Sequence, residues 1–228
     1  MLLVNGVGYG AETAPSFLHE IMPLLTRHGC NQGACHGKGN GQNGFRLSLR
    51  GYAPELDHAW LTREFLARRI DTADPGESLL VRKAMGEVMH EGGRLFSRNS
   101  KSHEVMVQWL KAGMPGPLKN EAKLTGLKIT PATMLLAKDQ NQQLRVLAEF
   151  SDNKTVDVTW LVKFAVADAS QLSVDANGLV TALRPGETSV QVFFEDQVAI
   201  ATVTTSNKNP NPIASFPKAI NPVDDAVF

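Results

Sequence analysis

Cys30-Asn31-Gln32-Gly33-Ala34-Cys35-His36 brings both cysteines of the 228-residue chain beside one of its six histidines. Three chemistries suit such a motif. A disulfide across the four-residue gap closes so short a loop that it restricts the unfolded chain only modestly, and it leaves His36 without a role. Zinc would draw on Cys30, Cys35, His36 and His28 or a more distant histidine. The second ligand pair usual in zinc sites is missing, however, and adjacent Cys35 and His36 are awkward ligands for one tetrahedral ion. Covalent haem uses all three side chains: thioethers anchor the macrocycle edge, and the imidazole after the second cysteine reaches under the iron.

The usual haem motif places two residues between its cysteines, and this one places four. The vinyl groups of the porphyrin are a fixed distance apart, so the longer insert must bulge, and Gly29 and Gly33 supply backbone freedom for that. A helix ending just upstream and Gly37, Gly39, Gly41 and Gly44 downstream complete the context. The favoured expectation is one covalent haem c, with Cys30 and Cys35 attached and His36 as an iron ligand.

The elements that must hold this motif are helical. Phe17, Ile21, Leu24 and Leu25 recur at the helical period after Ser16, a capping residue. A helix is expected from Asp57 to Arg69. Another follows Ser102, with Val105, Met106, Trp109 and Leu110 on one side and Gly113 and Pro115 ending it. Phe17 and Trp109 read as packing residues. A short alternating run, Phe45, Leu47 and Leu49, lies between.

Beyond about residue 124 the pattern alternates. Leu127–Ile129, Gln143–Leu147, Val156–Trp160, Leu172–Val174, Leu179–Val180, Ser189–Val192 and Ala199–Val203 read as strands, separated by turns such as Asn177-Gly178 and Pro185-Gly186. Six or seven short strands over about 80 residues suggest a β-sandwich. The expected organisation is multidomain: an N-terminal tail over 1–14, a mostly-α domain over 15–120, an all-β sandwich over 124–206, and a Pro- and Asn-rich linker with the start of a following domain over 207–228.

Charge and residue distribution bound the function. The chain carries 23 Lys+Arg against 23 Asp+Glu, which argues against a nucleic-acid or polybasic membrane partner. No apolar run approaches the roughly 20 residues of a membrane-spanning helix. Met1 to Gly10 is apolar but lacks a basic start and is broken by glycines, so it does not read as an intact signal peptide. All histidines and cysteines lie before residue 104. The first 123 residues hold 15 basic and 12 acidic side chains, the remainder 8 and 11. Chemistry therefore belongs to the first half.

Several stretches of that half resemble a family. Phe17–Leu25, Gly29–Gly37, Asn43–Tyr52, Asp74–Leu80 and Trp109–Gly113 look like the cytochrome c domain of large planctomycete-type proteins, in which the four-residue spacing occurs. The resemblance implies a class I-like fold with crossing first and last helices. Its distal segment would be Val88–Gly93, a polar loop before the final helix. His90 is the favoured second iron ligand, Met89 the runner-up and Met114 a third choice. A second imidazole lowers the reduction potential, and a thioether raises it. His19 and His28 read as surface or supporting groups. Arg46, Arg50 and Arg94 are candidates to pair with haem propionates, against a default of solvated arginine.

The second half resembles the bacterial Ig-like domain of group 2, on Leu144–Asp152, Val156–Thr159, Val174–Ala182 and Pro185–Glu187. Such residues specify strands and turns and say little of function. It is expected to act as a spacer or a docking surface. The favoured function is one-electron transfer with an unknown redox partner, in a periplasmic or cell-surface location, as part of a longer protein. An electron carrier is favoured over an enzyme. Two alternatives stand beside it: a five-coordinate haem enzyme or gas sensor, and a structural surface protein with a disulfide or zinc clip.

Overall fold

The computed structural model describes residues 14–207. The expected tail before residue 14, and the expected linker and following domain from residue 208, lie outside the described residues.

The first helix starts as a π-helical turn, Phe17–Ile21, and continues as α1, Met22–Arg27. Ser16 caps it reciprocally: its hydroxyl accepts from the His19 N–H at 3.0 Å, and its own N–H donates to the Glu20 carboxylate at 2.8 Å. Gly29, at φ +76°, ends the helix in the left-handed conformation that glycine adopts without strain. Helix α2 spans Pro54–Thr62, α3 Leu79–Ala84 and α4 Lys101–Lys111. The α4 cap is Ser100 rather than Ser102, and Gly113 at φ +82° follows its end. Phe17, Ile21, Leu61, Val81 and Trp109 are almost wholly buried together in the core.

Loops outnumber helical residues in this half, so the mostly-α expectation is corrected. The helix expected over Asp57–Arg69 stops at Thr62. Phe65, Leu66 and Ala67 all take positive φ, which no right-handed helix accommodates. The reversal holds because Arg69 is buried beneath it. Its guanidinium donates to the carbonyls of Trp60, Glu64 and Gly44.

Among the described residues ten strands follow: β1 Leu124–Thr130, β2 Thr133–Ala137, β3 Asn141–Gln143, β4 Arg145–Phe150, β5 Thr155–Asp157, β6 Lys163–Val166, β7 Leu172–Val174, β8 Leu179–Ala182, β9 Gly186–Phe194 and β10 Gln197–Ser206. They form sheets ordered β1-β4-β5, β2-β10-β9-β6 and β3-β8-β7. The chain passes from the first sheet to the second at Thr130-Pro131, after which β2 runs parallel to β10. Val146 and Ala148 of β4 meet Val190, Val192, Ala201 and Val203 of β9 and β10 in a core closed to solvent. The all-β Ig-like sandwich is thus observed. Strands β2 and β6 were not among those read from the sequence.

The two halves touch. Arg27 donates to the Val162 carbonyl at 3.2 Å, the Lys101 ammonium lies 4.1 Å above the Trp160 ring, and the Arg50 guanidinium lies 5.7 Å from that of Phe193.

Candidate functional site

The loop after α1 folds by its own backbone. The Cys30 N–H donates to the Leu25 carbonyl at 2.9 Å, and the Cys30 carbonyl accepts from the His36 N–H at 2.9 Å. The first bond ties the loop to α1, and the second draws the two ends of the four-residue insert together. Asn31 is wholly buried beneath, its amide donating to the Thr26 hydroxyl at 2.8 Å. Gly37 is required there, since a Cβ would sit 2.2 Å from the Asn31 carbonyl oxygen.

Cys30, Cys35, His36 and His90 all line one cavity of about 620 Å³, whose remaining wall is largely apolar, with Leu24, Leu25 and Met106 among its residues. The His36 Nδ1 is 2.9 Å from the Phe45 carbonyl oxygen, which orients the ring. Across the cavity the His90 ring is near-parallel to that of His36, with centroids 6.4 Å apart and 9° between planes. His90 is held by its own turn: its Nδ1 lies 3.0 Å from the Gly93 carbonyl oxygen. Burial lowers the His36 pKa, with the Phe45 carbonyl acting against it. Burial pushes the Cys30 thiol up to about 12, with Cys35 adding to the shift, so Cys30 stays protonated. Both cysteines are free.

The other candidates are placed elsewhere. Met89 is 92% exposed at the rim. Met114 lies against His58, whose Nε2 is 2.8 Å from the Met114 carbonyl oxygen. Arg46 stacks on Trp60, and Arg50 faces the sandwich. Arg94 lies beside Gly86, away from the lining. The arginines that do line the cavity, Arg68 and Arg69, were missed. In sequence they are an Arg pair closing an expected helix, which reads as solvated. His28 lies under Phe96, 3.0 Å from the Ser102 hydroxyl, and His19 reaches the sandwich, where its Nδ1 is 2.7 Å from the Glu195 carboxylate.

Residues 123–205 match the bacterial Ig-like domain (group 2) family. An S-layer-related protein of Niallia circulans is 38% identical over 88 residues, which is 39% of this chain and 5% of that protein. Ice-binding protein 1 of Shewanella frigidimarina is 27% identical over 101 residues, 44% of this chain and 11% of that protein. The chain thus spans a small fraction of these relatives. Among solved structures, surface layer protein SbsC, domains 1–6, aligns with a TM-score of 0.35 at 15% identity, over 46% of this chain and 16% of that one.

These findings overturn the electron-carrier reading. An S-layer-related protein and an ice-binding protein stand where that reading expects cytochromes, and the family match falls on the sandwich. For a bare metal ion such as zinc, the donor set does not close either. Among the described residues, no three of His, Cys, Asp and Glu converge so as to hold a metal ion. The expected covalent haem c is corrected accordingly. So are the haem enzyme, the gas sensor and the zinc clip. No helix among the described residues is long and apolar enough to cross a membrane.

Proposed function

We propose that this chain is a structural module of an exported cell-surface protein, in which the Ig-like sandwich and the docked helical half act as one spacer unit. The likeness to an S-layer-related protein carries this reading. The second half supports it, since from residue 124 onward there is no histidine or cysteine and its determinants are those of strands and turns. The small share of each relative that is covered fits one module of a longer chain. The test is labelling of intact cells that make the full-length natural protein. A membrane-impermeant amine reagent should modify its lysines without lysis, and labelling only after lysis overturns the reading.

The cavity favours a second reading, in which Cys30, Cys35, His36 and His90 line a small-molecule site within the same module. An apolar wall with two imidazoles and the Arg68 guanidinium suits a compact apolar body bearing a hydrogen-bond acceptor. Anilinonaphthalene sulfonate is a suitable probe. Saturable fluorescence that weakens several-fold in His90→Ala supports a site there. Unchanged binding in that variant, or none in the native chain, contradicts it.

A further inference from the structure

His19 sits where the halves meet. It lies in the first helical turn, and its ring faces three separate pieces of chain. Nδ1 is 2.7 Å from Glu195 Oε1, in the turn between β9 and β10. The ring plane meets Phe150, at the end of β4, with centroids 4.9 Å apart. Nε2 is buried without a hydrogen-bond partner among the described residues. The other charge facing the ring is Glu121, which is itself fixed to the helix start by the Ser16 hydroxyl at 2.6 Å. Glu20, on the same helix, is occupied by the Ser16 N–H.

Nδ1 thus faces a carboxylate at hydrogen-bond distance, with a second carboxylate, Glu121, nearby. Two negative charges beside the ring favour its charged form.

We propose that the His19–Glu195 pair is a protonation-controlled latch between the helical half and the sandwich, closed while His19 carries its proton and released when the proton leaves. Three further contacts between the halves, Arg27 to the Val162 carbonyl, Lys101 over Trp160 and Arg50 over Phe193, contain no group that titrates near neutrality. They keep the halves adjacent while the latch decides whether they move as one body.

The direction of titration agrees. Burial alone would lower the His19 pKa, but the Glu195 hydrogen bond and the charges of Glu195 and Glu121 outweigh it, and the net shift is upward from 6.5. A raised pKa means that the latch contributes fully below 6.5 and is lost as pH rises through the folded value.

The test is an NMR titration of the whole chain from about pH 5.5 to about pH 9, following the His19 ring and the residual dipolar couplings of each half. The expected result is a His19 pKa above 6.5, with one alignment tensor fitting both halves below it and two tensors above it. Glu195→Gln, in a surface turn, should lower the His19 pKa and separate the tensors at lower pH. A single tensor across the range in the native chain, or a His19 pKa unmoved by Glu195→Gln, overturns the proposal.

Discussion

Phe17 of the first helix and Trp109 of the last meet with ring centroids 5.7 Å apart, and both are almost wholly buried. His58 stands edge-on to both rings, and the Trp109 indole N–H donates to the Pro115 carbonyl at 3.0 Å. This contact closes the helical half around its core. Phe17→Ala removes a large ring at the centre of the contact and should cost about 3–5 kcal/mol. Chemical denaturation followed by fluorescence measures it, and a cost below about 1 kcal/mol would show that the helices are held elsewhere.

Arg69 acts as a buried strut. Arg69→Met would leave the carbonyls of Trp60, Glu64 and Gly44 without their guanidinium donor and remove the cation 4.5 Å above the Phe45 ring. Each stranded acceptor costs about 1–3 kcal/mol, so a loss of about 3 kcal/mol or more is expected. Arg69→Lys should rescue little, since one ammonium cannot reproduce the planar fork that spans three carbonyls. Melting temperatures of the two variants decide the point.

Burial, helped by the neighbouring Arg27 charge, lowers the His28 pKa from 6.5 to about 4. Between those values the unfolded chain binds a proton that the native chain refuses. Stability therefore falls as pH drops through this window, by up to about 3 kcal/mol at its acid end. His28→Gln should flatten that limb of a stability–pH curve measured in urea, and an unaltered slope would assign the loss to other groups.

The two thiols should differ in reactivity. Cys30, held protonated by burial, offers almost no thiolate near neutrality. Iodoacetamide on the native chain should alkylate Cys35 faster than Cys30, as peptide mapping by mass spectrometry would show. Equal rates would mean that the loop opens freely.

The sequence made some of this legible. Strand alternation around Val190–Val192 and Ala201–Val203 exposed the sandwich, because each of these strands buries one face. Gly113 marked the end of α4 through its need for positive φ. Strand β2 escaped notice because Leu135, 72% exposed, follows buried Met134 and precedes buried Leu136, so the segment reads as a continuous apolar run. The stop at Thr62 was illegible, since it depends on Arg69 holding three carbonyls from outside the helix. At the site, spacing pointed to Cys30, Cys35 and His36, the family resemblance added His90, and all four share a cavity. The chemistry assigned to them came from a local motif and did not survive comparison with the chain's relatives.

The most direct test of a structural rather than redox role is the intact mass of the chain under denaturing conditions, after production in an exporting bacterium equipped for haem attachment. A structural role predicts the 24.8 kDa polypeptide with nothing added and no visible absorption. A covalent mass increment on the Cys30–His36 segment, accompanied by tetrapyrrole absorption, would contradict it.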